Sequence, residues 1–194
     1  MNKKFTLLAV ALMTVGTFTA ASAARQILDA NGLQNIRIEH VSGDLTDHYS
    51  PNENVIRLSD STYNSTSVAA IGVAAHECGH AVQHQVGYVP IKIRNGIVPI
   101  VNVCNTLSMP IFIIGLILGL GRLAMVGATI FGAVLVFQLV TLPTEINASR
   151  RAMKTLESMY LLEGDELTGA RKTLTAAAMT YVAAVASTAL QFLR

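Results

Sequence analysis

Tryptophan is absent, cysteine occurs only twice, and Asp, Glu, Lys and Arg together make up 13% of the 194 residues. Each shortage excludes something. Two cysteines cannot build a disulfide framework, and Cys78 and Cys104 lie in segments of such different character that a bridge between them is not expected. Little charge beside 52% hydrophobic residues excludes an ordinary soluble globule of this length and calls for membrane segments. A net charge of only +2 and the lack of a phosphate-binding loop exclude a nucleic-acid surface. Histidine stops early: all five lie at or before His84.

Long apolar runs are what the chain has in quantity. "IVPIVNVCNTLSMPIFIIGLILGL" (97–120) and "LAMVGATIFGAVLVFQLVTL" (123–142) are uncharged and each long enough to cross a hydrocarbon core. Only Gly121 and Arg122 separate them, which predicts a transmembrane helical hairpin that returns the chain to the face it left. A third run, "TLTAAAMTYVAAVASTALQFL" (173–193), is uncharged but rich in alanine and threonine. It reads either as a marginal span or as a helix packed on a bundle. No internal repeat is present.

"VAAHECGHAVQH" (73–84) carries His76, Glu77 and His80 in the order His-Glu-x-x-His. On a helix, residues four apart share a face, so two imidazoles can point at one metal ion. Glu77, beside that face, is placed to act as a general base on a water molecule at the metal. The surrounding "SDSTYNSTSVAAIGVAAHECGHAVQHQ" offers Ser and Thr caps and no proline before Pro90, which predicts a helix from about Thr66 to Gln85.

A catalytic zinc takes three protein ligands and leaves a fourth position open. His84 lies about 12 Å of helix rise from His76, too far to bind the same ion. It is a supporting, substrate-facing or surface residue. Gln83 and Val86 occupy the places where a metzincin needs glycine and histidine. The third ligand must then be a downstream carboxylate or Cys104. Glu145 is the first carboxylate the returning chain presents, three residues after the second apolar run. Glu157, Glu163, Asp165 and Glu166 follow in a charged, amphipathic stretch that reads as a solvated helix and turn.

The polar region before the motif predicts a short helix in "ARQILDANGL" stopped at Asn31-Gly32, and strands in "IRIEHV" and "NVIRLS" with "SPNEN" as a turn. "NVIRLS" is the candidate sheet edge for pairing with a peptide substrate. In "DLTDHY", Asp47 and His48 are either groups that support the metal or the transition state, or parts of a polar turn.

Taken in order, the segments are 1–24, a signal peptide or first membrane helix; 25–96, a polar region with the motif helix; 97–142, the hairpin; 143–172, a third-ligand helix and turn; and 173–194, a membrane or bundle helix. "MNKKFTLLAVALMTVGTFTAASA" reads as a signal peptide with Ala21 and Ala23 before a cut, which would export the motif helix. Uncleaved, residues 5–24 would be a first span. Lys92, Arg94, Arg150, Arg151 and Lys154 at the open ends of the hairpin, against Arg122 at its tip, place the catalytic face in the cytoplasm.

From about Ala24 onward the chain resembles the YugP-like bacterial membrane zinc metallopeptidases. "ILDANGL" (27–33), "LTDHYSP" (45–51), "VAAHECGHAVQH" and "LPTEINASRRA" (142–152) match in order and content. More distantly it is similar to HtpX-type and CAAX-processing membrane peptidases. The resemblance implies one zinc ion, His76, His80 and Glu145 as ligands, Glu77 as base, and a peptide or protein substrate, membrane proteins included. It also implies a multi-pass protein of a bacterial inner or plasma membrane. The expected fold is a mostly α membrane protein with a zincin-like motif helix, a small strand element and a transmembrane hairpin. The alternative to a zinc-dependent endopeptidase is a catalytically inactive metal-binding membrane scaffold, against which the intact Glu77 speaks. A zinc transporter is disfavoured because neither core span carries an ionisable residue.

Overall fold

The computed structural model describes residues 18–193, so most of the N-terminal apolar segment discussed above lies outside the described residues. The described elements run α1 (Ala20–Ala30), β1 (Arg37–His40), β2 (His48–Ser50), β3 (Val55–Leu58), α2 (Val68–Gln85), α3 (Val89–Ile117), α4 (Gly121–Ser158) and α5 (Gly164–Leu193). They form two compact units. One combines the chain up to Val86 with Ile146–Ala178, and the other combines Gly87–Glu145 with the chain from Met179 onward.

In the first unit, α1 begins where the Thr19 hydroxyl accepts the Ser22 N–H at 3.2 Å. Its apolar positions Ala20, Ala23, Ala24, Ile27 and Leu28 are buried at helical spacing. It stops as expected at Asn31-Gly32. Gly32 takes φ +72°, and the Leu33 and Gly32 N–H groups bond back to Leu28 and Asp29 in a Schellman arrangement. Helix α1 starts before the proposed cut after Ala23, whose side chain is part of the core.

The two expected strands form, and a third joins them. The sheet order is β1-β3-β2, with β1 parallel and β2 antiparallel to β3. "NVIRLS" is therefore the central strand and not the edge expected of it, because Val55–Leu58 pairs on both sides. The strand it pairs with on the motif-helix side comes from "DHYS", whose polar residues concealed it.

Helix α2 begins at Val68, with the Ser67 hydroxyl accepting from Ala70 N–H at 3.2 Å. It ends at Gln85, with Val86 as the cap ahead of Gly87, which has φ +64°. Its inner face joins α1, β3, the end of α4 and the start of α5 in one core that includes Ile27, Leu28, Ile56, Leu58, Ile71, Cys78, Leu156 and Leu174. Burial pushes the Cys78 thiol far above its ordinary range, so it stays protonated and acts as a packing residue.

In the second unit, α3 and the first part of α4 form the expected hairpin. The turn sits slightly earlier than the Gly121-Arg122 break. Gly119 at φ +65° and Leu120 close a Schellman turn onto Leu116 and Gly115, and Gly121 already starts α4. The helices approach closely because Gly127 has no side chain: a Cβ there would lie 2.6 Å from the Phe112 nitrogen. Helices α3, α4 and α5 are each long and apolar enough to cross a membrane, α5 being the least apolar. Helix α4 runs without interruption through Pro143 to Ser158, so Glu145 stands on the same helix as the second apolar run.

Candidate metal centre

His76, His80 and Glu145 offer one ligand atom each, and these atoms all lie within 4.8 Å of one another. The two histidines meet because α2 is helical. Their Nε2 atoms are 3.1 Å apart and their rings stand nearly perpendicular, at 88°. Two nitrogens bound to one zinc at tetrahedral angles are about 3.3 Å apart, given bonds of about 2.0–2.1 Å. The spacing fits. Two imidazoles and a carboxylate are also the donor types zinc takes in catalytic sites, with a position left for water.

Burial sharpens the fit. Glu145 is 2% exposed, Glu77 8% and His80 9%, a concentration of ionisable groups that a core tolerates when charges are paired or bound to a cation. The Arg94 guanidinium stands 3.9 Å from Glu145 Oε1. From the sequence Arg94 carried only a topological meaning, as one of the cations at the open ends of the hairpin.

The first unit supplies the support around the motif. At Gly79, between the two histidines in sequence, a Cβ would lie 2.6 Å from the carbonyl oxygen of Ala148. The α4 backbone can lie against α2 only because this residue is glycine. That approach puts Ser149 Oγ 3.1 Å from His76 Nδ1. His80 Nδ1 is 3.0 Å from Gln83 Oε1. Ser149 and Gln83 were not singled out from the sequence. Their only signal there is position, Ser149 one turn after Glu145 and Gln83 three residues after His80.

The other candidates make contacts of their own. Asp47 accepts hydrogen bonds from the Ser59 backbone at 2.8 Å and the Ser59 hydroxyl at 2.9 Å, tying the loop between β1 and β2 to the residue after β3. His48 is exposed, with Nδ1 2.7 Å from the Thr46 carbonyl oxygen. His84 faces the ring of Tyr49 on β2 edge to face, with centroids 6.2 Å apart. Glu157, Glu163 and Asp165 are exposed.

A family model described as "Putative neutral zinc metallopeptidase" matches residues 8–194. The "Putative membrane protease YugP" of Bacillus subtilis (strain 168) is 44% identical over 176 residues, which span 91% of this chain and 78% of that protein. No solved structure matches the chain. With a match running almost from end to end, the chain belongs to the family described as "Putative neutral zinc metallopeptidase".

Proposed function

We propose that the protein is a zinc-dependent endopeptidase working at a membrane, with His76, His80 and Glu145 holding a single zinc ion and Glu77 acting as general base. The grouping of three donor atoms within 4.8 Å, although 64 residues of chain lie between His80 and Glu145, carries this reading. The bound ion would supply a Lewis acid that polarises a scissile carbonyl and lowers the pKa of water. Glu77 would take the proton of the attacking water and return it to the leaving amine. Its burial, at 8% exposed, and its place next to His76 in the chain support that role. The three apolar helices support a bilayer as surroundings, and the cations at the open ends of the hairpin support a cytoplasmic catalytic face.

Metal analysis and casein or peptide-library hydrolysis on detergent-purified protein test the proposal. Near-stoichiometric zinc with hydrolysis is expected in the parent, and easier chelation with loss of both in Glu145→Ala. Zinc without any cleavage would favour the inactive scaffold. Retention of zinc in Glu145→Ala, with loss in Glu157→Ala, Glu163→Ala or Glu166→Ala, would overturn the choice of carboxylate.

A further inference from the structure

We propose that Arg151, Asn147 and Gln83 form a positioning relay that fixes His80 with its proton on Nδ1 and its Nε2 lone pair on the side of the His76 Nε2. The inference rests on the reading of His80 as a metal ligand, and it assigns a role to three residues that touch no substrate.

The direction of each hydrogen bond follows from the outer end. Arg151 Nε lies 2.8 Å from Asn147 Oδ1, and a guanidinium can only donate. Asn147 must therefore present its oxygen there. The same oxygen lies 3.0 Å from Gln83 Nε2, so Gln83 presents its amide nitrogen to Asn147. The Gln83 carbonyl oxygen is then the atom facing His80 Nδ1 at 3.0 Å, and it can only accept. His80 Nδ1 must carry the proton, which leaves the Nε2 lone pair for a cation.

Amide orientation is usually open to a flip, but here a flip of Gln83 would set two oxygens against each other at Asn147. Gln83 is fully buried, so water cannot repair the mismatch. At His76 the Nδ1 partner is the Ser149 hydroxyl, which can donate or accept. The two neighbouring imidazoles thus differ in their Nδ1 partners, an acceptor-only oxygen for His80 and a hydroxyl for His76.

The first measurement needs no metal. In metal-free protein with 15N-labelled histidines, at a pH above the ordinary imidazole range, long-range proton–nitrogen spectra report which ring nitrogen bears the proton. His80→Gln assigns the signal. The parent, Arg151→Lys and Asn147→Asp should all show His80 protonated at Nδ1, because each keeps a donor-only cation or an oxygen in place. Arg151→Met and Asn147→Leu should show both tautomers, and chelator competition should find zinc bound about 10–100-fold more weakly. Arg151 lines a cavity of about 340 Å³ between α1, α2 and α4, so shortening it widens an existing space. The melting temperature of metal-free Arg151→Met should accordingly stay close to the parent's.

An unchanged tautomer and zinc affinity in Arg151→Met and Asn147→Leu would overturn the relay, as would loss of the Nδ1 proton in Asn147→Asp. A parent that binds no zinc would remove the peptidase reading, while the tautomer measurement would still decide the relay.

Discussion

At the scale of single residues, Glu77 follows His76 and Gly79 precedes His80 on α2, and the two call for different tests. Glu77 adjoins His76 in the chain, is buried, and is not one of the three grouped donors. Glu77→Gln should keep zinc in near-stoichiometric amount while peptide hydrolysis falls roughly 10²–10⁴-fold, the range expected when a general base is removed. Loss of the metal in that variant would identify Glu77 as a ligand instead. Gly79 acts through space and not chemistry. Gly79→Ala would drive a methyl group into the Ala148 carbonyl and force α4 away from α2, at a cost of about 1–3 kcal/mol for overpacking. Because Ser149 and Asn147 travel with Ala148, zinc affinity should fall together with the melting temperature. A variant as stable and as tightly zinc-bound as the parent would show that the helices do not need this approach.

At the scale of elements, legibility followed the strength of local patterning. The motif helix and the apolar hairpin are long and strongly patterned, and both form where the sequence places them. Strand β2 was missed because "DHYS" lacks apolar alternation; it pairs through its backbone against Val55, Ile56 and Arg57. That pairing makes β3 central, so "NVIRLS" could not be the open edge. The supports of His76 and His80 were hidden for a different reason. They depend on how α4 packs against α2, and nothing in the local sequence around Ser149 or Asn147 records that packing.

The loops around the sheet are tied by charge. The Gly43 backbone N–H and the His40 ring hold the Asp60 carboxyl below its ordinary range, and hydrogen bonds from Arg57 do the same for Glu53. A carboxyl whose folded value is depressed stabilises the fold fully above its unfolded value, and the contribution is lost as the pH falls through the folded value. The Gly43 amide shift should therefore titrate with a midpoint below that of a free aspartate, and Asp60→Asn should abolish the transition. A midpoint at the ordinary aspartate value would mean that the Asp60 clamp is open in solution.

At the scale of the whole molecule, two signals for sidedness compete. The basic start and small-residue ending of residues 1–23 point to export, while five cations at the open ends of the hairpin against one at its tip point to retention on the cytoplasmic side. The hairpin charges adjoin the most apolar helices of the chain, where the positive-inside bias acts most directly. The start of α1 adds a second argument: a cut after Ala23 would remove Ala20 and Ala23 from the core that holds the motif helix. Asn52, exposed in the turn between β2 and β3, reports which side the polar region occupies. Native Cys78 is buried and half-exposed Cys104 can be replaced, so a cysteine introduced as Asn52→Cys would be the reactive thiol. In intact cells it should resist a membrane-impermeant thiol reagent and react once the cells are opened. Ready labelling of intact cells would put the polar region, and with it His76 and His80, on the outer side, and the N-terminal segment would then be read as an export signal.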